Sequence, residues 1–219
     1  MSILGGWVPT AVVFDCDGLL MDTEPCWSIA ETEVFARRGL GFGAEQKAMV
    51  IGRTLADAGE SMAAAFGEPG QGAAIGRELL GLVAQVIGDR AEAKTGAQDL
   101  VKLIAARVPV AVASNSPRSL LDVALRRGGF DGAFPVSIAA DEVRQAKPAP
   151  DMYLESCAAL DQAPTACLAF EDSMTGLRSA IAAGLRTVGV PSLAQADFPA
   201  DWVVSDLTNP DLVRWVQTW

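Results

Sequence analysis

Apolar residues along this chain fall into two textures. The first is a set of short unbroken runs at residues 11–14, 108–113, 136–139, 166–170, 187–190 and 202–204. Several are rich in valine or isoleucine and closely followed by glycine, proline or polar residues. That pattern predicts fully buried β-strands rather than helices. The second texture is apolar residues three and four apart, which predicts helices. It covers residues 24–38, through Trp27, Ala30, Val34 and Phe35, then 44–51, 55–66 and 75–87. It returns through Leu120, Leu121, Val123, Ala124 and Leu125, and at 151–160, 173–183 and 209–216. Gly39, Gly41, Gly67 and Gly184 mark helix ends, where a left-handed residue is easily accommodated.

From the second strand onward, strands and helices alternate. That alternation predicts βαβ units and a parallel sheet. The first and second strands, however, are separated by far more chain than the ~10–12 residues a crossover needs, and the excess is helical. The economical reading is an α/β fold, a Rossmann-like parallel-sheet core at residues 1–21 and 94–219. An all-helical cap domain at residues 22–93 is inserted after the first strand and is expected to hang over the strand ends.

With 219 residues, half of them hydrophobic, the chain can bury a substantial core. Its formal charge is -10, from 17 Lys and Arg against 27 Asp and Glu. A binder of nucleic acid needs a basic face, so a nucleic-acid partner is not expected. No apolar run approaches the ~20 residues that span a bilayer, and the first ten residues lack the basic start of a secretory signal. A membrane partner is therefore not expected either. The four cysteines form no C-x-x-C pair and the chain has no histidine. Reduced thiols and a cytoplasmic location are expected, without a zinc site or disulfide framework.

Candidate chemistry collects at the strand ends, where parallel sheets place their ligands. Asp15 and Asp17 arrive together as the first strand closes, with Asp22 and Glu24 close behind. Carboxylates crowded in this way repel one another unless a cation sits among them, and hard oxygen ligands suit Mg²⁺. Ser114-Asn115-Ser116 follows the second strand, and its hydroxyls, amide and backbone N–H groups suit an anion. Lys147 stands before Pro148-Ala149-Pro150, where the prolines stiffen the backbone around it. Glu171-Asp172 closes another strand. Taken singly, each cluster also fits an ordinary role: a turn residue or helix cap for the aspartates, Ser116 and Ser173, a solvated side chain for Lys147. Cys16, between the two aspartates and without a histidine base, reads as a small buried filler.

The ordered set Asp15-x-Asp17-Gly18, Ser114-Asn115, Lys147-Pro148 and Glu171-Asp172 resembles the four motifs of the haloacid dehalogenase superfamily of phosphotransferases. The longer stretches Asp22-Thr23-Glu24-Pro25, Lys147-Pro148-Ala149-Pro150-Asp151 and Phe170-Glu171-Asp172-Ser173 look like its β-phosphoglucomutase and sugar-phosphatase branch. The resemblance implies a phosphoric monoester hydrolase acting on a small phosphorylated metabolite. Asp15 would be the nucleophile that forms an aspartyl-phosphate, and Asp17 the general acid and base. Mg²⁺ would be held by Asp15, the Asp17 backbone carbonyl and Asp172, with Glu171 close by. Ser114, Asn115 and Lys147 would bind the phosphoryl oxygens, and Arg53 in the cap would meet the far end of the substrate. β-Phosphoglucomutases carry a histidine where this chain has Trp27, which favours hydrolysis over mutase chemistry. A catalytically idle phospho-ligand binder would be marked by loss of a carboxylate or of Lys147, and none is lost.

Overall fold

The structure is a computed structural model that describes residues 6–51, 53–192 and 197–219. It divides into two compact units, Met1–Asp22 with Glu92–Trp219, and Thr23–Ala91. The first is built on a six-stranded sheet of β1 (Ala11–Phe14), β4 (Val110–Ser114), β5 (Val136–Ala139), β6 (Cys167–Glu171), β7 (Arg186–Gly189) and β8 (Trp202–Val203). The spatial order is β5-β4-β1-β6-β7-β8, and each neighbouring pair is parallel. Two further short strands, β2 (Met21–Asp22) and β3 (Glu92–Ala93), form a separate antiparallel ribbon.

β1, β4 and β6 are buried on both faces, as a sheet covered by helices on both sides requires. One face is lined by small residues: Ala11 and Val13, Ala111 and Ala113, Cys167 and Ala169. Against it pack α7 (Asp151–Ala159) and α8 (Met174–Ala183), through Met152, Tyr153, Cys157 and Ala180. Small side chains on the sheet leave room for the bulk of Tyr153. Successive strand residues point to opposite faces, so Phe14 and Phe170 share the other face, where their rings stack at 5.1 Å. The remaining helices of this unit are α5 (Ala97–Ala105), α6 (Arg118–Arg127) and α9 (Pro210–Gln217). Sequence periodicity predicts no element at α5, yet Leu100, Val101 and Ile104 give it a buried stripe.

The second unit is helical: α1 (Glu24–Ala36), α2 (Ala44–Val50), α3 (Leu55–Phe66) and α4 (Gly72–Arg90). Phe35, Met62, Ile75, Leu79, Val83 and Ile87 are buried in it. The α3–α4 contact is close because Gly59 faces the backbone of Gly72 and Gly76, where a Cβ would collide with the Gly72 carbonyl. Among the described residues, no helix is long and apolar enough to cross a membrane.

Two strand boundaries matter for the site. β4 and β6 each run further than the apolar pattern predicts, so Ser114 and Glu171 are themselves the last strand residues. The reason is pairing: Ser114 stands opposite Ala139 and Glu171 opposite Gly189. Sheet hydrogen bonding carries polar residues that apolarity alone does not reach.

Candidate active site

The sheet order determines which loops meet. β1 is central, with β4 on one side and β6 on the other, so the residues that follow all three strands converge. Asp15 is held at this point because its N–H still donates to the Phe170 carbonyl at 3.0 Å. Asp15, Glu171 and Asp172 are buried and offer carboxylate oxygens within 4.8 Å of one another. Gly18, with φ +85°, lies against the Asp172 carboxylate, where a Cβ would collide. Gly176 does the same against the Glu171 carboxylate. Gly18 is thus a close-approach position as well as a turn residue, and Gly176, inside α8, is a close-approach position alone.

Lys147 enters from the loop before α7. Its ammonium donates to Asp15 Oδ1 at 2.6 Å, Glu171 Oε1 at 2.6 Å and the Ala113 carbonyl at 2.8 Å. All three of its donors are thereby used. Its backbone is clamped from across the site by Asn115. The Asn115 side-chain oxygen accepts from Lys147 N–H at 2.9 Å, and its amide donates to the Lys147 carbonyl at 3.2 Å. The Asn115 side chain is thus committed to placing Lys147. Tyr153 donates from its hydroxyl to Glu171 Oε1 at 2.5 Å, and its ring lies 5.1 Å from the Lys147 nitrogen.

Asp17 is half-buried and its carboxylate stands apart from the acidic trio. Its Oδ2 accepts from the Ser114 and Ser116 hydroxyls at 2.8 and 2.9 Å. Ser114 Oγ in turn accepts from Ser116 N–H at 3.0 Å. Arg53 belongs to the helical unit, where it donates to the Ser61 hydroxyl at 3.2 Å. There it lines a cavity of about 190 Å³ with Trp27, Lys47, Glu24 and Glu31. Lys47 is already paired with Glu31 and Glu24, at 2.8 and 2.9 Å.

The electrostatics follow from burial and crowding. Burial pulls the Lys147 pKa down, but the Asp15 and Glu171 carboxylates outweigh it, and the net shift is upward. Burial pushes Asp15 well above the usual carboxylate range; Glu171, Asp172 and Asp17 push the same way and Lys147 opposes. Asp172 is pushed up to about 7, first by burial and then by Glu171, with Ser192 and Lys147 opposing. Three buried carboxylates therefore share one ammonium, and their remaining negative charge calls for a cation. An all-oxygen donor set of this kind fits a hard divalent ion. Cys16 is fully buried, and burial followed by its two aspartate neighbours raises its thiol pKa, which suppresses the thiolate a nucleophile needs.

Sequence reasoning reads Ser116 as part of an anion-suited cluster or as a cap, not as a partner of Asp17, and it does not single out Tyr153 or Gly176. A usable signal existed for one: Tyr153 is the chain's single tyrosine, six residues past Lys147 and in the first turn of the following helix.

A parallel sheet with carboxylates, hydroxyls and a lysine gathered beyond its central strand is an arrangement suited to phosphoryl transfer. A family model described as haloacid dehalogenase-like hydrolase matches residues 9–184, and the chain belongs to that family. It is similar to fructose-1-phosphate phosphatase YqaB from Escherichia coli (strain K12), 32% identical, covering 82% of this chain and 95% of that protein. It is also 28% identical to a bifunctional riboflavin kinase/FMN phosphatase from Arabidopsis thaliana, over 94% of this chain. The chain spans 55% of that relative's length. A crystal structure of CbbY from Rhodobacter sphaeroides in complex with phosphate superposes with a TM-score of 0.79 at 27% identity. That match covers 92% of this chain and 96% of the other.

Proposed function

We propose that this hydrolase is a phosphatase that cleaves small phosphate monoesters, sugar phosphates foremost, with Asp15 as nucleophile and Mg²⁺ as cofactor. One observation carries the reading: Lys147 bonds Asp15 and Glu171 at once, inside a carboxylate trio that also contains Asp172. The names of the relatives support the substrate class, since one is a fructose-1-phosphate phosphatase.

In this reading Asp15 attacks phosphorus, the bond from phosphorus to the ester oxygen breaks, and an aspartyl-phosphate forms. Asp17 gives a proton to the departing oxygen and later takes one from the water that releases phosphate. Such general acid–base help is worth typically ~10²–10⁴-fold. Asp17 Oδ2 accepts from Ser114 and Ser116, which orients the carboxyl for proton transfer to the ester oxygen. The Ser114 hydroxyl is proposed to serve a phosphoryl oxygen when substrate is bound. Lys147 neutralises phosphoryl charge, and Asn115 acts by fixing Lys147, with its backbone N–H left as its route to the phosphoryl group. Asp15 and Asp172, with Glu171 beside them and the Asp17 carbonyl, would hold Mg²⁺. When bound, the ion supplies positive charge against the charge of the transferring group. Most of the acceleration rests on this fixed charge and on positioning.

Arg53, in the helical unit, is proposed to meet the polar end of the substrate. The chain has no histidine and carries Trp27 in the first cap helix, which favours transfer to water over a mutase. A cytoplasmic location goes with this reading, and the four cysteines are free thiols. The test is a phosphate-release screen across phosphorylated metabolites with Mg²⁺, using Asp15→Asn as control. Release from sugar monophosphates that Asp15→Asn abolishes supports the reading; release that survives in Asp15→Asn rejects it.

A further inference from the structure

Glu171 is completely buried, yet it stands at the end of β6 where a carboxylate has several ways to turn. Four groups limit it. Lys147 and Tyr153 both donate to Oε1, Ser173 Oγ lies 3.4 Å from Oε2, and Gly176 leaves the space that the carboxylate fills. Of these, only the Tyr153 hydroxyl is an uncharged donor that comes from outside the segment running from β6 into α8. It comes from α7, and α7 lies close because the sheet face beneath it is built of alanines, Val13 and Cys167.

We propose that Tyr153 is a positioning residue of the cation site, acting through Glu171 and Lys147. The inference rests on the metal reading given under Proposed function. The physical argument is a division of donors. Glu171 Oε1 has two donors, and Lys147 must serve Asp15 and the Ala113 carbonyl as well as Glu171. With the phenol present, Glu171 is satisfied without taking more than its share of the ammonium. Without it, Oε1 depends on Lys147 alone, the ammonium is drawn toward Glu171, and Asp15 loses its partner. The geometry of the three carboxylates then loosens. Partners that orient metal ligands in this way typically matter about 10–100-fold in metal affinity.

Tyr153→Phe keeps the ring, its packing among Met152, Cys157 and the alanines, and its contact with the Lys147 charge. It removes only the hydroxyl. The experiment is calorimetric titration of Mg²⁺ into the full-length, metal-free chain, wild type against Tyr153→Phe, with thermal unfolding in chelator alongside. The expected result is Mg²⁺ binding by the wild type and binding about 10-fold weaker by the variant, with the variant folded. A purely structural tyrosine would shift the unfolding temperature and leave the Mg²⁺ isotherm unmoved. That result overturns the assignment of Tyr153 while leaving the metal reading intact. A wild-type chain that takes up no Mg²⁺ overturns the metal reading, and this inference falls with it.

Discussion

Lys147 is the residue on which opposing charges meet. Its ammonium is the one cation bonded to the Asp15 and Glu171 carboxylates among the described residues. Removing one partner of a buried ion pair leaves uncompensated charge and costs about 3–5 kcal/mol. Lys147→Ala is therefore expected to lose stability on that order in urea unfolding as well as losing phosphatase activity; a fully stable variant contradicts this. Asp15→Asn keeps the shape of the site and removes the proposed nucleophile, so turnover is expected to fall by about 10³-fold or more. Asp17→Asn should lower kcat by about 10²–10⁴-fold, read from steady-state phosphate release. Asp15 and Asp17 are legible in the sequence because they follow an apolar strand, and Lys147 because prolines stiffen the loop that carries it. What Asn115 does is not legible: both arms of its amide bond to the backbone of Lys147, 32 residues away. Nothing in local spacing encodes a contact made only after β4 and the loop before α7 come together. Tyr153 escaped for the same reason. An aromatic residue in an amphipathic helix looks like core, and its ring is core; only the hydroxyl reaches the site.

At the scale of elements, the two apolar textures separate strands from helices, and the parallel sheet follows from their alternation. What they miss are the short helix α5, only nine residues long, and segments held by tertiary pairing. The β2–β3 ribbon contributes only two residues from each strand, too few for any period to show. The Gly59 contact gives a test in which two effects compete. In an exposed helix interior, Gly→Ala stabilises by roughly 1 kcal/mol. Here the added methyl would meet the Gly72 carbonyl, and overpacking costs about 1–3 kcal/mol. Gly59→Ala is expected to destabilise the chain, measured by thermal unfolding; a gain in stability would show that α3 and α4 give way easily. Arg53→Ala tests the cavity it shares with Trp27 and Lys47. The expected outcome is a changed ranking across a substrate panel at nearly unchanged stability, and an unaltered ranking removes Arg53 from substrate recognition.

For the whole molecule, the crowded carboxylates set a pH dependence. Asp172 titrates near 7 in the folded, metal-free chain against an ordinary value of 3.8. Through that window the folded chain keeps a proton that the unfolded chain has released. Stability in chelator should therefore fall as pH rises from about 4 to about 7 and level off above, a change on the order of a few kcal/mol. Burial of Asp15 acts in the same direction. On the proposed reading Mg²⁺ would bind the ionised carboxylates, so the stability it adds should be larger at about pH 7.5 than at about pH 5. Urea unfolding at both pH values, with and without Mg²⁺, checks both statements; a metal-free chain equally stable at the two refutes the first.

The order of the central strands also governs when competence arises. The partners of β1 lie far along the chain: Val12 stands opposite Val110 on one side and Leu168 on the other. The chain must extend from β1 through β6 before Asp15 has both walls around it. Contacts so remote in sequence also slow the search for the native state. Fragments that stop short of β6 should be inert, because Asp15 then lacks the strand that holds its N–H.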